Sequence, residues 1–235
     1  MRLDTFLVER GLAQSRTKAQ DMIKNSLVSV DGKFILKSSY KVQDEEIVNV
    51  VEHKSYVSRS AHKLDEFLEE ISLDITGYVA LDIGSSTGGF TQVLLQRGVK
   101  EVSAVDVGHD QLDKSLRDDE RVLSYEGCDI RKFESEKYFD IVTSDVAFIS
   151  LHNILEDIER LASKDIILLF KPQFEVGRET KRDKHGVVLD KKAIDRAMIK
   201  FEDRCKLTGW NLIKKSPSKL TGKEGNLEYC YYYKK

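Results

Sequence analysis

The chain is poor in the residues that break or crosslink a fold. It has two prolines in 235 residues, too few for long disordered linkers. Its three cysteines, Cys128, Cys205 and Cys230, are scattered, and no Cys-x-x-Cys occurs. That excludes a disulfide framework and a cysteine zinc site. It fits reduced thiols in a cytoplasmic protein without a metal centre. The longest strongly apolar run, 166–170, is far short of the ~20 residues that a membrane span needs. The opening Met1-Arg2-Leu3-Asp4 carries charge and has no apolar core, so no secretory signal is expected.

Net charge is only −2, but it is unevenly divided. Residues 1–63 hold 11 Lys and Arg against 8 Asp and Glu, residues 64–170 hold 10 against 23, and residues 171–235 hold 17 against 9. Basic ends around an acidic middle suit a polyanion gripped by the ends. Solvated lysines on helices are the plain alternative, above all near 191–206.

The first fifty residues read as a compact ααβ unit. Leu3, Phe6 and Leu7 repeat at helical spacing and Gly11 stops that helix. Ser15 can cap a second helix with an apolar face of Ala19, Met22 and Ile23, and a basic face of Arg16, Lys18 and Lys24. Val28 and Val30 alternate with polar neighbours ahead of an Asp31-Gly32 hairpin turn. Ile47, Val48 and Val50 read as another short strand. Arg2-Leu3-Asp4, Ser15-Arg16-x-Lys18-Ala19 and Val28-x-Val30-Asp31-Gly32-Lys33 resemble the S4 RNA-binding fold. The resemblance implies RNA contacts at Arg2, Ser15, Arg16, Lys18, Lys24 and Lys33.

After a connector over 51–57, apolar periodicity changes character. A helix is expected from Ser58, with Ala61, Leu64, Phe67, Leu68 and Ile71 on one face. Strands are expected over 78–83, 101–106, 121–125, 139–145 and 165–170. Helices are expected over 89–97, 110–117, 151–162 and near 190–207. This alternation predicts an α/β, Rossmann-like domain over 58–235 with a mostly parallel sheet and helices on both faces. Two further β-rich runs, 210–214 and 227–233, predict an antiparallel addition at one edge.

The loop Asp82-Ile83-Gly84-Ser85-Ser86-Thr87-Gly88-Gly89-Phe90 sits between the first of these strands and a helix. Its glycines let backbone N–H groups close on a ligand. Asp106 ends the next strand, 22 positions after Gly84, where an acid suits a ribose diol. The spacing is not Gly-x-Gly-x-x-Gly, which disfavours a pyrophosphate cofactor and favours S-adenosyl-L-methionine. Ligands of such sheets bind beyond the carboxyl ends of the strands. Topology alone therefore places Gly84, Asp106, Asp129, Asp145 and Lys171 together. A lysine at an apolar strand end can lose its proton through desolvation and then act as a base toward a sugar hydroxyl. A loop lysine and a helix N-cap are the plain readings of Lys171 and Asp145.

The later motifs are more specific. Ser58-Arg59-Ser60-Ala61-x-Lys63-Leu64, the Asp82–Phe90 loop, Asp145-Val146-Ala147-Phe148-Ile149-Ser150-Leu151, Lys171-Pro172-Gln173-Phe174-Glu175-Val176-Gly177 and Gly225-Asn226-Leu227-Glu228-Tyr229 resemble the TlyA/hemolysin A family. That family joins an S4 domain to an FtsJ-like methyltransferase and is similar to ribosomal RNA cytidine-2′-O-methyltransferases. The resemblance implies a catalytic Lys63, Asp145, Lys171 and Glu228, with Lys171 as proton acceptor and Asp145 tuning it. It also implies cofactor positions along the loop (Asp82, Gly84, Ser85, Ser86, Thr87, Gly88, Gly89 and Phe90) and at Asp106 and Asp129, with Arg59 as a further RNA contact. Residues alone would not single out Lys63 or Glu228, whose defaults are a snorkelling lysine and a solvent-facing acid. Short ends point to ribosomal RNA of the large subunit, 23S more than 16S, as the partner. The basic segment 177–186 reads either as a mobile loop that closes over RNA or, equally, as a solvated surface loop. A membrane-active hemolysin, a non-catalytic RNA-binding protein and a nucleotide-dependent oxidoreductase are the competing functions.

Overall fold

The computed structural model describes residues 1–24, 27–43, 45–50 and 56–235. It divides into two compact units, Met1–Ser55 and Tyr56–Lys235. Most of the expected connector, 51–57, lies outside the described residues.

In the first unit, helices α1 (Leu3–Glu9) and α2 (Arg16–Lys24) precede three short strands, β1 (Val28–Val30), β2 (Lys33–Phe34) and β3 (Val48–Val50). The strands pair antiparallel in the order β2-β1-β3. Leu3, Leu7, Ala19, Ile23, Val28 and Val30 form the core, as their spacing predicts. Ser15 is the α2 cap, its Oγ accepting from the Lys18 N–H at 3.2 Å.

The second unit begins with α3 (Ser60–Ile71) and continues as β4 (Val79–Ile83), α4 (Gly89–Gln96), β5 (Glu101–Asp106), α5 (Lys114–Arg117), β6 (Val122–Glu126), β7 (Phe139–Ser144), α6 (Leu155–Leu161), β8 (Ala162–Phe170), α7 (Pro172–Glu175), α8 (Lys191–Leu207), β9 (Asn211–Pro217) and β10 (Tyr229–Lys234). Seven strands form one sheet in the order β6-β5-β4-β7-β8-β10-β9. The first five run parallel, while β10 and β9 are antiparallel, as expected. Alternation along one strand feeds two cores. Ile166, Leu168 and Phe170 of β8 face α6 and α8, while Ile167 and Leu169 face the layer of α3 and α4. On β10, Tyr231 and Tyr233 join the first core, Cys230 and Tyr232 the second. Among the described residues, no helix is long and apolar enough to cross a membrane.

Two expected helices are shorter than the periodicity suggested. The 110–117 helix is reduced to α5, because Asp110 stands in the left-handed region at φ +53° and Asp113 caps the turn that remains. The 151–162 helix is split into a 3₁₀ turn, Leu151–Asn153, and α6, and β8 starts at Ala162.

The turn before α4 leaves no room for side chains. Gly88 has φ +94°, and a Cβ there would come within 2.3 Å of Leu116 Cδ1. Gly88→Ala combines a left-handed strain with overpacking and is expected to cost about 1–3 kcal/mol. Thermal unfolding measures this, and an unchanged midpoint would show that the loop can relax freely.

Candidate active site

Strand register assembles the site. Ile83 lies beside Val105 on β5 and beside Ser144 on β7, so Gly84, Asp106 and Asp145 emerge together. Tyr229 pairs with Phe170, so Glu228, just before β10, stands opposite Lys171, just after β8. Gly84 packs against the β7 exit so closely that a Cβ would meet Val146 Cα at 3.1 Å. The Asp145 N–H donates to Ile83 O at 3.1 Å, which ties the two loops at their base.

Two lysine–carboxylate pairs occupy this end of the sheet. Lys171 Nζ lies 2.7 Å from Asp145 Oδ1 and donates to the Asp145 carbonyl at 3.2 Å. Lys63 Nζ, on α3, lies 2.6 Å from Glu228 Oε2. Side-chain exposure is 10% for Lys63 and 3% for Glu228, so neither is the solvent-facing charge its local sequence pattern suggests. Gln173 Nε2 also donates to Glu228 Oε1 at 3.3 Å. Burial pushes the Asp145 carboxyl above the ordinary carboxylate range, and the neighbouring Lys171 opposes that rise. The structure therefore presents Lys171 as half of an ion pair rather than as an isolated base.

Beside these pairs lies a cleft of about 460 Å³, lined by Gly84, Ser86, Asp106, Asp129 and Asp145 with Val107, Ile130 and Phe148. This is the size and polarity mix of a small-molecule site. Asp106 accepts from the N–H groups of Ser86 at 2.8 Å and Gly108 at 2.6 Å, one to each oxygen. A carboxylate oxygen accepts more than one bond, so both retain capacity toward a diol. Asp129 caps the 3₁₀ turn Ile130–Lys132 and pairs with Arg131, which holds its carboxyl down at about 2.

Other loop positions do not line the cleft. Asp82 is fully buried beneath it, accepting from Thr91 Oγ1 at 2.7 Å and Thr143 Oγ1 at 3.0 Å. Phe90 belongs to the core on the α4 face, and Gly88 and Gly89 abut Leu116 and Ser58. Ser85 is buried, and the Thr87 carbonyl accepts from the Asp113 N–H. These residues shape the turn, while Gly84 and Ser86 face the ligand space. Arg59 is exposed at the start of α3.

In the first unit, Arg2 and Arg16 both reach the buried Asp4, each at 3.0 Å, yet remain 43% and 59% exposed. Lys18, Lys24 and Lys33 are exposed. Within the segment 177–186 the Arg182 guanidinium donates to the carbonyls of Arg178 and Thr180, and outside it to that of Gln173.

Sequence reasoning passed over Phe148. It is 92% exposed at the cleft mouth, has φ +65° and lies 5.4 Å from the Phe174 ring. A left-handed backbone at an exposed aromatic cannot be read from residue order, because it arises from closure of the loop.

Residues 56–235 match the model of FtsJ-like methyltransferases, and residues 1–48 match that of S4 domains. The chain is 46% identical to the 23S rRNA (cytidine-2′-O)-methyltransferase TlyA of Campylobacter jejuni, over 99% of both chains. It is 40% identical to the 16S/23S rRNA (cytidine-2′-O)-methyltransferase TlyA of Mycobacterium tuberculosis, over 97% of this chain and 87% of that one. A solved hemolysin-named chain from Streptococcus thermophilus superposes with a TM-score of 0.73 at 32% identity, over 100% of this chain and 88% of that one.

Burial of Asp82 has a pH signature. Desolvation pushes its carboxyl up to about 7, against 3.8 when unfolded. Between these values the folded state holds a proton that the unfolded state has released, so stability falls as pH rises from about 4 to 7, by roughly 1.4 kcal/mol per pH unit at most. Asp82→Asn removes the titrating group, keeps an amide oxygen as acceptor for one threonine and turns an amide N–H toward the hydroxyl oxygen of the other, and is expected to flatten this decline in denaturant titrations. A decline unchanged in the variant would assign the titration to another group.

Proposed function

Because this chain belongs to the FtsJ-like methyltransferase family, with an S4 domain ahead of the catalytic one, we propose that it methylates the ribose 2′-oxygen of a cytidine in ribosomal RNA, with S-adenosyl-L-methionine as donor. Large-subunit 23S rRNA within an assembled subunit is the proposed substrate, which places the enzyme in the cytoplasm. The division into an RNA-binding part over 1–50, a connector over 51–57 and a catalytic part over 58–235 belongs to the same proposal. The observation that carries the reading is the pairing of Lys171 with Asp145 and of Lys63 with Glu228 beside an acid-lined cleft.

The cleft suits the cofactor by the chemistry of its donor set. Asp106 would hold the ribose hydroxyls, Asp129 would offer an acceptor to the base, and Val107 and Ile130 would supply apolar surface for it. S-adenosyl-L-methionine supplies, when bound, a methyl group on a positive sulfonium. The work left to the protein is alignment of the ribose oxygen and removal of its proton. Lys171 Nζ takes that proton as the new oxygen–carbon bond forms, which requires the amine to be neutral at that moment. Asp145, 2.7 Å from Nζ, orients the amine for that step. Its carbonyl bond to Nζ keeps the amine in place while the charge moves. Lys63 and Glu228 hold the sugar–phosphate side of the nucleotide, and Phe148 offers an exposed face on which the base stacks.

The flanking basic regions complete the scheme. Arg2, Arg16, Lys18, Lys24 and Lys33 neutralise phosphates of folded RNA, and Asp4 fixes two of the guanidinium groups that do so.

Two expected outcomes test this. Lys171→Ala is expected to lower single-turnover methyl transfer by roughly 10²–10⁴-fold while calorimetric affinity for S-adenosyl-L-methionine stays the same. Retained turnover would remove Lys171 from the role of proton acceptor. Arg16 and Lys18 changed together to alanine are expected to weaken RNA binding and reduce the slope of log K against log salt by about 1–2. A slope equal to that of the parent would place the RNA clamp elsewhere.

A further inference from the structure

The loop that follows β7 and the short helix that follows β8 are fastened to one another at both ends. At one end Lys171 meets Asp145. At the other, Glu175 Oε2 accepts from Ser150 Oγ at 2.6 Å and Glu175 Oε1 accepts from the Leu151 N–H at 2.8 Å. Ser150 Oγ in turn caps the following 3₁₀ turn, accepting from the His152 N–H at 3.2 Å. Between the two fastenings the chain passes through Phe148, whose ring is almost wholly exposed, whose backbone is left-handed and whose ring neighbour among the described residues is Phe174.

A bulky residue in that conformation relaxes unless its flanks are fixed. Asp145 fixes the near flank, and the bonds to Glu175 fix the far one. We propose that Glu175 is a positioning residue for the target nucleotide: its carboxylate fastens the far end of the 145–151 loop and thereby sets where Phe148 presents its ring relative to Lys171. Glu175 itself touches neither cofactor nor the reacting oxygen. It acts on the distance between the base platform and the proton acceptor, because both are carried by segments that it joins. The proposal rests on the methyltransferase reading above and adds a residue to it.

Why a carboxylate stands here follows from the donors. One acceptor group must satisfy a hydroxyl and a backbone N–H on successive residues, and two oxygens on one planar carboxylate do so together. Glutamine keeps one carbonyl oxygen for the Leu151 N–H and turns its amide toward a Ser150 oxygen that also accepts. Alanine leaves the N–H of Leu151 without an acceptor and frees the loop.

The test uses the full chain, radiolabelled S-adenosyl-L-methionine and large ribosomal subunits that lack the modification. Glu175→Ala is expected to lower kcat/KM for subunits by roughly 10–100-fold, with both KM raised and kcat lowered, as a misplaced base platform requires. Affinity for S-adenosyl-L-methionine falls less than kcat/KM, since Gly84, Ser86, Asp106 and Asp129 line the cleft from outside the 145–151 loop, which contributes Asp145 and Phe148 to it. Glu175→Gln recovers most of the loss, and Ser150→Ala, which keeps the Leu151 bond, falls between. Wild-type kcat/KM in Glu175→Ala overturns the proposal. So does a loss of cofactor affinity in step with activity, which marks a general structural role. If Glu175→Ala does not fold, Ser150→Ala decides, and wild-type kcat/KM there overturns it. A parent protein that transfers no methyl group to these subunits defeats the methyltransferase reading instead, before any variant is compared.

Discussion

Four ionisable side chains crowd one end of a sheet whose strands are otherwise apolar, and none of them could remain there unpaired. An isolated buried charge costs several kcal/mol in practice, so a buried carboxylate or ammonium keeps its charge only opposite a counter-charge, and Asp82, which meets two threonines instead, is pushed toward its protonated form. Lys171 against Asp145 and Lys63 against Glu228 satisfy this rule with contacts of 2.7 and 2.6 Å. The arrangement is neutral in sum and polar in detail, as the proposed proton transfer at a sugar hydroxyl requires. It also fixes the fold around it. Lys63 reaches Glu228 from α3, so the first helix of the catalytic unit and the strand that ends it are locked to one point.

The antiparallel strand β10 is the element that makes this possible. A parallel sixth strand would send its carboxyl end toward the cleft and its start away from it. Reversal brings the residue before β10 to the same rim as the residues after β4, β7 and β8. Glu228 is therefore available to Lys63, and Gly222 lies so close to it that a Cβ would come within 2.5 Å of Oε1. Position 222 thus closes over a carboxylate that would otherwise reach water. The two cores divide labour in the same geometry. The α3–α4 layer carries the glycine turn and Lys63, and the α6–α8 layer supports the loops bearing Phe148 and Lys171.

The legible part of the site was the part built by strand ends. Gly84, Asp106, Asp129 and Asp145 follow from the rule that ligands gather at the carboxyl ends of parallel strands, and all four line the cleft. Phe90, Gly88 and Gly89 do not line it, and a motif read along the chain makes no distinction between residues that face a cleft and residues that let the loop turn. Asp82 belongs to the second kind, locked under the loop by Thr91 and Thr143. The 110–117 helix failed for a related reason. Its periodicity was adequate, but Asp110 stands in the left-handed region at φ +53°, where a helix cannot pass, and residue order does not announce that.

Local order in the chain determined the alternation of strands and helices, the small ααβ unit at the start, the antiparallel edge and the cleft at the strand ends. These depend on periodicity and turn chemistry, which are properties of neighbours in sequence. Tertiary structure alone decided that Lys63 and Glu228 meet across 165 positions, that Phe148 stands out over the cleft, and that Glu175 ties together the two segments carrying the site. Such contacts are fixed by strand register and loop closure, and a one-residue slip of β10 would turn Glu228 toward the opposite face while leaving every local propensity as it was.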